Sequence, residues 1–184
     1  MTATVRRARP KDWPGLRDIR LRALRDAPTA FSATYERTAG LAPSDWRGWT
    51  TGDGWSGDVA TFVVERAAVQ GAVRPSGSPV FDGMATAAVF AADLSVGHLF
   101  AMWVDPSVRG TGVAHGLVRA VVEWTRDRGV DEVRLSVTQG NARAEALYAA
   151  FGFARTDDDP SPLREGSPLL MFEMRLALEP EAPP

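Results

Sequence analysis

The chain has 184 residues, 45% hydrophobic and 24% charged, with a formal net charge of −2, the make-up of an ordinary soluble globular protein with a real core. The absence of cysteine excludes disulfides, thiolate zinc sites and a cysteine nucleophile, and His98 and His115, the two histidines, cannot make a metal site alone. A single lysine and no basic block argue against a nucleic-acid partner, no apolar run approaches the roughly 20 residues of a membrane span, and the N-terminus lacks a signal peptide's apolar region, so the cytoplasm is the default location.

Val5 begins a short first strand, about residues 3–8, and Asp12 can cap the helix that follows. Trp13, Leu16, Ile19 and Leu24 give that helix an apolar stripe. Arginines at 17, 20, 22 and 25 read as a solvated charged face, and Pro28 ends the helix. Between 29 and 58, Phe31, Tyr35, Trp46, Trp49 and Trp55 are spread among small polar residues. A short helix capped by Ser44 and a mobile loop are expected there. Such an aromatic loop either forms a substrate wall, here with Phe31, Tyr35, Glu36 and Trp46, or packs the underside of the domain.

Ala60–Glu65 is a strand, Pro75–Pro79 a turn, and Gly83–Ala91 a strand of small residues. Asp93–Gly97 turns the chain into Gly97–Val104, so the first strands form an antiparallel meander. Leu99–Val104 is an unbroken apolar run, as in a strand buried on both faces, and Asp105-Pro106 stops it. Val113 starts an amphipathic helix closed by Gly129, and Val133–Val137 alternates as the next strand, which a βαβ unit makes parallel to the last. Asn141 caps a second helix, Ala142–Ala150, closed by Gly152. Phe153 starts a strand, Thr156–Gly166 reads as a solvent loop, and Leu169–Leu176 is the last strand. Residues 1–178 are expected to form one domain and 179–184 a tail without fixed structure.

The organising segment is strand, glycine turn, helix. Arg109–Gly116 holds three glycines, and the arrangement aims bare N–H groups and a helix N-terminus at one point, a design for holding phosphate. A Walker loop needs Gly-Lys-Ser/Thr, which is absent. Gly110, Gly112 and Gly116 are one residue too widely spaced for a Rossmann fingerprint, and the acidic residue expected after Val137 is missing.

Arg109-Gly-Thr-Gly-Val-Ala114 matches the Arg/Gln-x-x-Gly-x-Gly/Ala signature of the GCN5-related N-acetyltransferases. It follows Val104-Asp105-Pro106 and precedes Asn141, Leu147-Tyr148 and Gly152-Phe153, and in this order residues 97–153 resemble the family's core. The resemblance implies an α/β (α+β) fold: a mixed central sheet of about six or seven strands, an antiparallel N-terminal meander, a parallel central pair that splays near a bulge, and about four helices. It implies that Met102, Trp103 and Val104 pair with the pantetheine arm of acetyl-CoA as an added strand would. The backbone of Arg109, Gly110, Thr111, Gly112, Val113, Ala114 and His115 would wrap the pyrophosphate, and Asn141 would bond the cofactor arm.

By the same resemblance Tyr148 protonates the departing thiolate. A base must free the amine, since a primary amine of pKa near 10 is neutral in only about one molecule per thousand at pH 7. Relatives that acetylate ribosomal N-termini carry a glutamate five residues before the asparagine; here Ser136 stands there, so that assignment does not carry over. Others place a Glu or His six residues before the strand-end valine, which gives His98, with Phe100, Met102 and Val104 on the same strand parity. Glu36 and Glu65 are weaker candidates. The implied activity is acetyl transfer from acetyl-CoA, without a metal, to a small-molecule amine or peptide N-terminus by direct attack in a ternary complex. The other reading is a non-catalytic acyl-CoA sensor of the same fold. A strongly cationic acceptor would want an acidic cleft, which Asp157–Asp159 could supply. Homodimerisation rests on analogy with the family.

Overall fold

A computed structural model describes residues 4–65 and 79–178. The turn expected at Pro75–Pro79, apart from Pro79, and the tail from Glu179 lie outside the described residues. The strands form one sheet in the order β1-β2-β3-β4-β5-β8-β6, with β7 also on β8. β1 is Val5–Arg7, β2 Gly57–Glu65, β3 Phe81–Phe90, β4 Val96–Val104, β5 Glu132–Thr138, β6 Ala154–Arg155, β7 Ser161–Pro162 and β8 Leu170–Ala177. All pairings are antiparallel except β4 with β5, so the meander and the parallel βαβ pair take the expected form.

Among the described residues five α-helices flank the sheet: α1 Trp13–Asp26, α2 Tyr35–Ala39, α3 Pro43–Thr51, α4 Val113–Arg126 and α5 Ala142–Ala149. The count exceeds the expected four because residues 29–58 hold two short helices. The sheet gains a strand because β7 forms in the expected solvent loop, where Leu163 is also buried. Local capping differs as well. The Asp12 carboxylate accepts the Arg9 N–H at 2.8 Å and pairs with Arg6 at 2.6 Å, closing the turn before α1 instead of capping it. Pro43 opens α3, and Asp45, not Ser44, accepts the Ala42 N–H at 2.9 Å.

The core has two parts because a strand's side chains alternate between faces. On one face α4 buries Leu117, Val118, Val121 and Val122 against Ala60, Phe62, Ala85, Ala87 and Leu99. On the other, Leu16, Ile19, Ala23 and Leu24 of α1 pack with Val63, Phe81, Met84 and Trp103. β3 is buried along nearly its whole length, and its alanines let helices approach both sides closely.

β4 and β5 pair only from Val96–His98 to Glu132–Arg134 and then part. The cause is in β4. Opposite β3, Phe100 pairs with Thr86 but Trp103 with Met84, so β4 carries one extra residue, and Ala101 takes φ +53°. Such a bulge bends its strand, and the opening it leaves beside β5 is where the candidate functional residues His98, Met102, Asn141 and Tyr148 converge.

Candidate functional site

A cleft of about 730 Å³ lies between the end of β4, the 105–112 loop, the start of α4 and α5. Its lining includes Met102, Trp103, Val104, Arg109, Gly110, Gly112, Ala114, His115 and Asn141. Gly110 and Gly112 have φ of +84° and +88°, a region that costs other residues about 1–2 kcal/mol. Gly112 offers α4 no side-chain cap, so the first-turn N–H groups keep no partner from the helix itself. Together with the helix dipole this geometry suits an anion. Gly116 serves packing instead: a Cβ there would meet Val5 Cγ2 at 2.9 Å.

The other loop residues hold this geometry. The Arg109 guanidinium donates to Asp26 and, at 2.9 Å, to the Val104 carbonyl, tying the loop to α1 and β4. The Trp103 indole N–H also donates to Asp26, at 2.9 Å. The Thr111 hydroxyl donates to the Val108 carbonyl at 2.7 Å, and Val113 turns its side chain into the core. Neither Thr111 nor Val113, both expected to contact the pyrophosphate, lines the cleft. Asn141 caps α5 by accepting the Ala144 N–H at 3.2 Å and lines the cleft as well.

A second cleft, about 560 Å³, opens where β4 and β5 part. Trp49, Trp55, Phe90 and Phe100 wall it; Trp49 and Trp55 meet edge-on at 5.6 Å, and Phe100 stands 5.6 Å from Trp55. Its polar lining includes His98, Arg134, Glu173, Ser136 and Arg20. The two clefts share Ala30, Phe31, Met102, Asn141, Ala144 and Tyr148.

His98, half-buried and 5.1 Å from the Phe90 ring, has its pKa lowered below 6.5, chiefly by burial. Arg134 adds to the effect, and Glu173 and Asp93 oppose it. The imidazole is therefore neutral at pH 7 and able to accept a proton. Met102 and Val104 do not share its face, because the bulge at Ala101 moves them to the α4 side; Phe100 stays with His98. Burial pushes the Tyr148 phenol pKa up, so this residue, edge-on to Phe153, keeps its proton.

Of the four residues expected to form the wall, Phe31 lines this cleft. Tyr35 and Glu36 line a separate groove beside Arg25 and Arg164. Trp46 is fully buried and does not line the cleft, because α3 turns Trp49 outward in its stead. Glu65 pairs with Arg6 at the sheet edge, and Asp157–Asp159 line neither main cleft. Arg20 departs from the expected solvated face of α1: it is only 5% exposed. The spacing carried the signal: Arg20 stands four residues after Leu16 and four before Leu24, inside the apolar stripe.

Residues 82–153 match the model of the acetyltransferase (GNAT) family. A mycothiol acetyltransferase of Thermobispora bispora is 41% identical over 64 residues, 35% of this chain and 22% of that protein. The mycothiol acetyltransferase of Nocardiopsis dassonvillei is 28% identical over 152 residues, 80% of this chain and 41% of its own length. The chain thus spans well under half the length of these relatives. In fold it is similar to yncA from Salmonella typhimurium, solved with its cofactor acetyl-CoA, at a TM-score of 0.74 and 20% identity over 100% of this chain and 98% of that one.

Proposed function

We propose that this chain, which belongs to the GCN5-related N-acetyltransferase (GNAT) superfamily, transfers an acetyl group from acetyl-CoA to a primary amine by direct attack in a ternary complex. The observation that carries the reading is the meeting of the two clefts at Tyr148, Met102 and Asn141. One has the character of an anion site at a helix N-terminus; the other is aromatic and holds a neutral histidine.

Acetyl-CoA fits the first cleft in kind. The loop N–H groups suit its pyrophosphate, and the β4 edge beyond His98, which β5 leaves, suits an amide-bearing arm. Arg109 acts as a positioning residue, since its fork is engaged with Asp26 and Val104.

The acceptor enters the second cleft as an ammonium ion. Burial among aromatic side chains lowers its pKa, and His98 takes its proton, directly or through one water. The neutral nitrogen attacks the thioester carbonyl carbon, the C–S bond breaks, and the CoA thiolate leaves and takes up the second proton of the acylated nitrogen, giving the amide and the free CoA thiol. Tyr148 stabilises that thiolate by donating a hydrogen bond. A thiol of pKa near 8.5 is a stronger acid than a phenol of about 10, and burial widens the gap. Full proton transfer from Tyr148 therefore runs uphill, and the hydrogen bond carries its contribution.

The test is CoA release from acetyl-CoA across a panel of small amines and peptides. Release is expected with at least one acceptor, and Tyr148→Phe, which removes a hydrogen bond to a charged sulfur, is expected to lower kcat about 10- to 100-fold with little change in KM for acetyl-CoA. Tight acetyl-CoA binding without release on any acceptor would support the acyl-CoA sensor instead.

A further inference from the structure

Arg20 is an arginine the acetyl-transfer chemistry leaves unused. It comes from the middle of α1, is only 5% exposed, and lines the aromatic cleft. Its Nε and Nη1 are buried with no hydrogen-bond partner among the described residues. The guanidinium lies 4.5 Å from the Phe31 ring centroid and 5.8 Å from that of Trp49, contacts that hold a cation but use none of its N–H groups. An unpaired buried donor is costly, and an unpaired buried charge more so. Burial lowers its pKa to about 10, which leaves it charged at neutral pH.

The other charges of the cleft do not answer it. Arg134 is bonded to Glu132 and to Glu173, at 3.2 Å from the latter, so the Glu173 carboxylate is already engaged. With His98 neutral, the lining carries one uncompensated positive charge, at Arg20. A polycationic acceptor is repelled by such a cleft. A guanidinium with free donors between two aromatic faces fits a carboxylate, which it holds by charge-assisted hydrogen bonds.

We infer that the acceptor is an α-amino acid with an apolar side chain, its carboxylate held by Arg20 and its side chain among Trp49, Trp55, Phe90 and Phe100. This rests on the acetyl-transfer reading and narrows it. The carboxylate anchors the acceptor at Arg20, and the short Cα link presents its amine to the thioester. The product is the N-acetyl amino acid with free CoA; of the two protons the ammonium nitrogen loses, one goes to His98 and the other to the CoA thiolate.

The test compares acceptors that differ only by the carboxylate: L-phenylalanine with phenethylamine, and L-methionine with 3-(methylthio)propylamine. The wild-type chain is expected to favour at least one amino acid over its decarboxylated partner by on the order of 100-fold in kcat/KM, since a site built for a polar group rejects the analogue lacking it. Arg20→Met is expected to bring that ratio to within about threefold of one, and Arg20→Lys to raise KM for the amino acid more than it lowers kcat. KM for acetyl-CoA reports whether each variant has folded, and the wild-type ratio decides even where a variant does not. Equal or better use of the decarboxylated amines, or a preference that survives Arg20→Met, overturns the inference and leaves acetyl transfer standing. Absence of CoA release with all four acceptors and with every other amine overturns both.

Discussion

At the scale of single residues, the account turns on protons. His98 is depressed below 6.5 because its neutral form is the one burial favours. If it takes the proton of a bound ammonium ion, kcat/KM rises with pH up to the His98 pKa, then stays level until the acceptor deprotonates near pH 10. His98→Gln must use the rare neutral amine, so its profile should climb through the whole range. Superimposable profiles would remove His98 as the base. Stability follows the same sign. The unfolded chain binds the proton more readily, so His98 contributes stability that is full above pH 6.5 and is lost as pH falls through the lower folded value. Tyr148 and His98 were picked out by motif order and by counting back along β4, and both line the aromatic cleft, the part of that reading the fold can answer. Arg20 was legible only in its spacing, which the commoner behaviour of helix-surface arginines outweighed. Trp46 and Trp49 could not be told apart from sequence, because the register of α3 decides which of them meets the core.

At the scale of elements, the site depends on two irregularities. One is the bulge at Ala101, which parts β4 from β5. The family resemblance called for a bulge near the splay, but nothing in Phe100-Ala101-Met102 fixes its position, so the strand parity read from sequence failed beyond it. The other is the loop before α4, where Gly110 and Gly112 take left-handed conformations with open space around each Cβ direction. Gly112→Ala is thus strained by its backbone alone. Its expected cost is about 1 kcal/mol of folding stability, read by denaturant titration, together with weaker acetyl-CoA binding, since the loop relaxes by turning its N–H groups. A neutral effect on both would mean that the loop's conformation does not form the cofactor site. The glycines were the clearest signal in the chain because few other residues adopt that geometry.

At the scale of the molecule, a helix on each face holds the sheet while the opening between β4 and β5 joins the two clefts. The meander, the βαβ unit and the long helix were legible because their apolar periods are unambiguous. The second short helix and β7 were not, since a few polar residues whose order comes from packing carry little local pattern. A ligand that spans β4, the loop and both α4 and α5 stabilises the fold by mass action. Acetyl-CoA at 100 times its Kd is expected to add about 2.7 kcal/mol, a rise of roughly 5–11 °C in melting temperature for a chain of this size. NADPH should leave the transition in place, and a rise with NADPH alone would contradict the cofactor assignment.

The central claim is that amine and thioester meet in one complex where the two clefts join. The most direct test is the initial velocity of CoA release with acetyl-CoA and the acceptor both varied. The account predicts double-reciprocal lines that intersect, as attack within a ternary complex requires. Parallel lines, the mark of an acyl-enzyme formed before the amine enters, would contradict it.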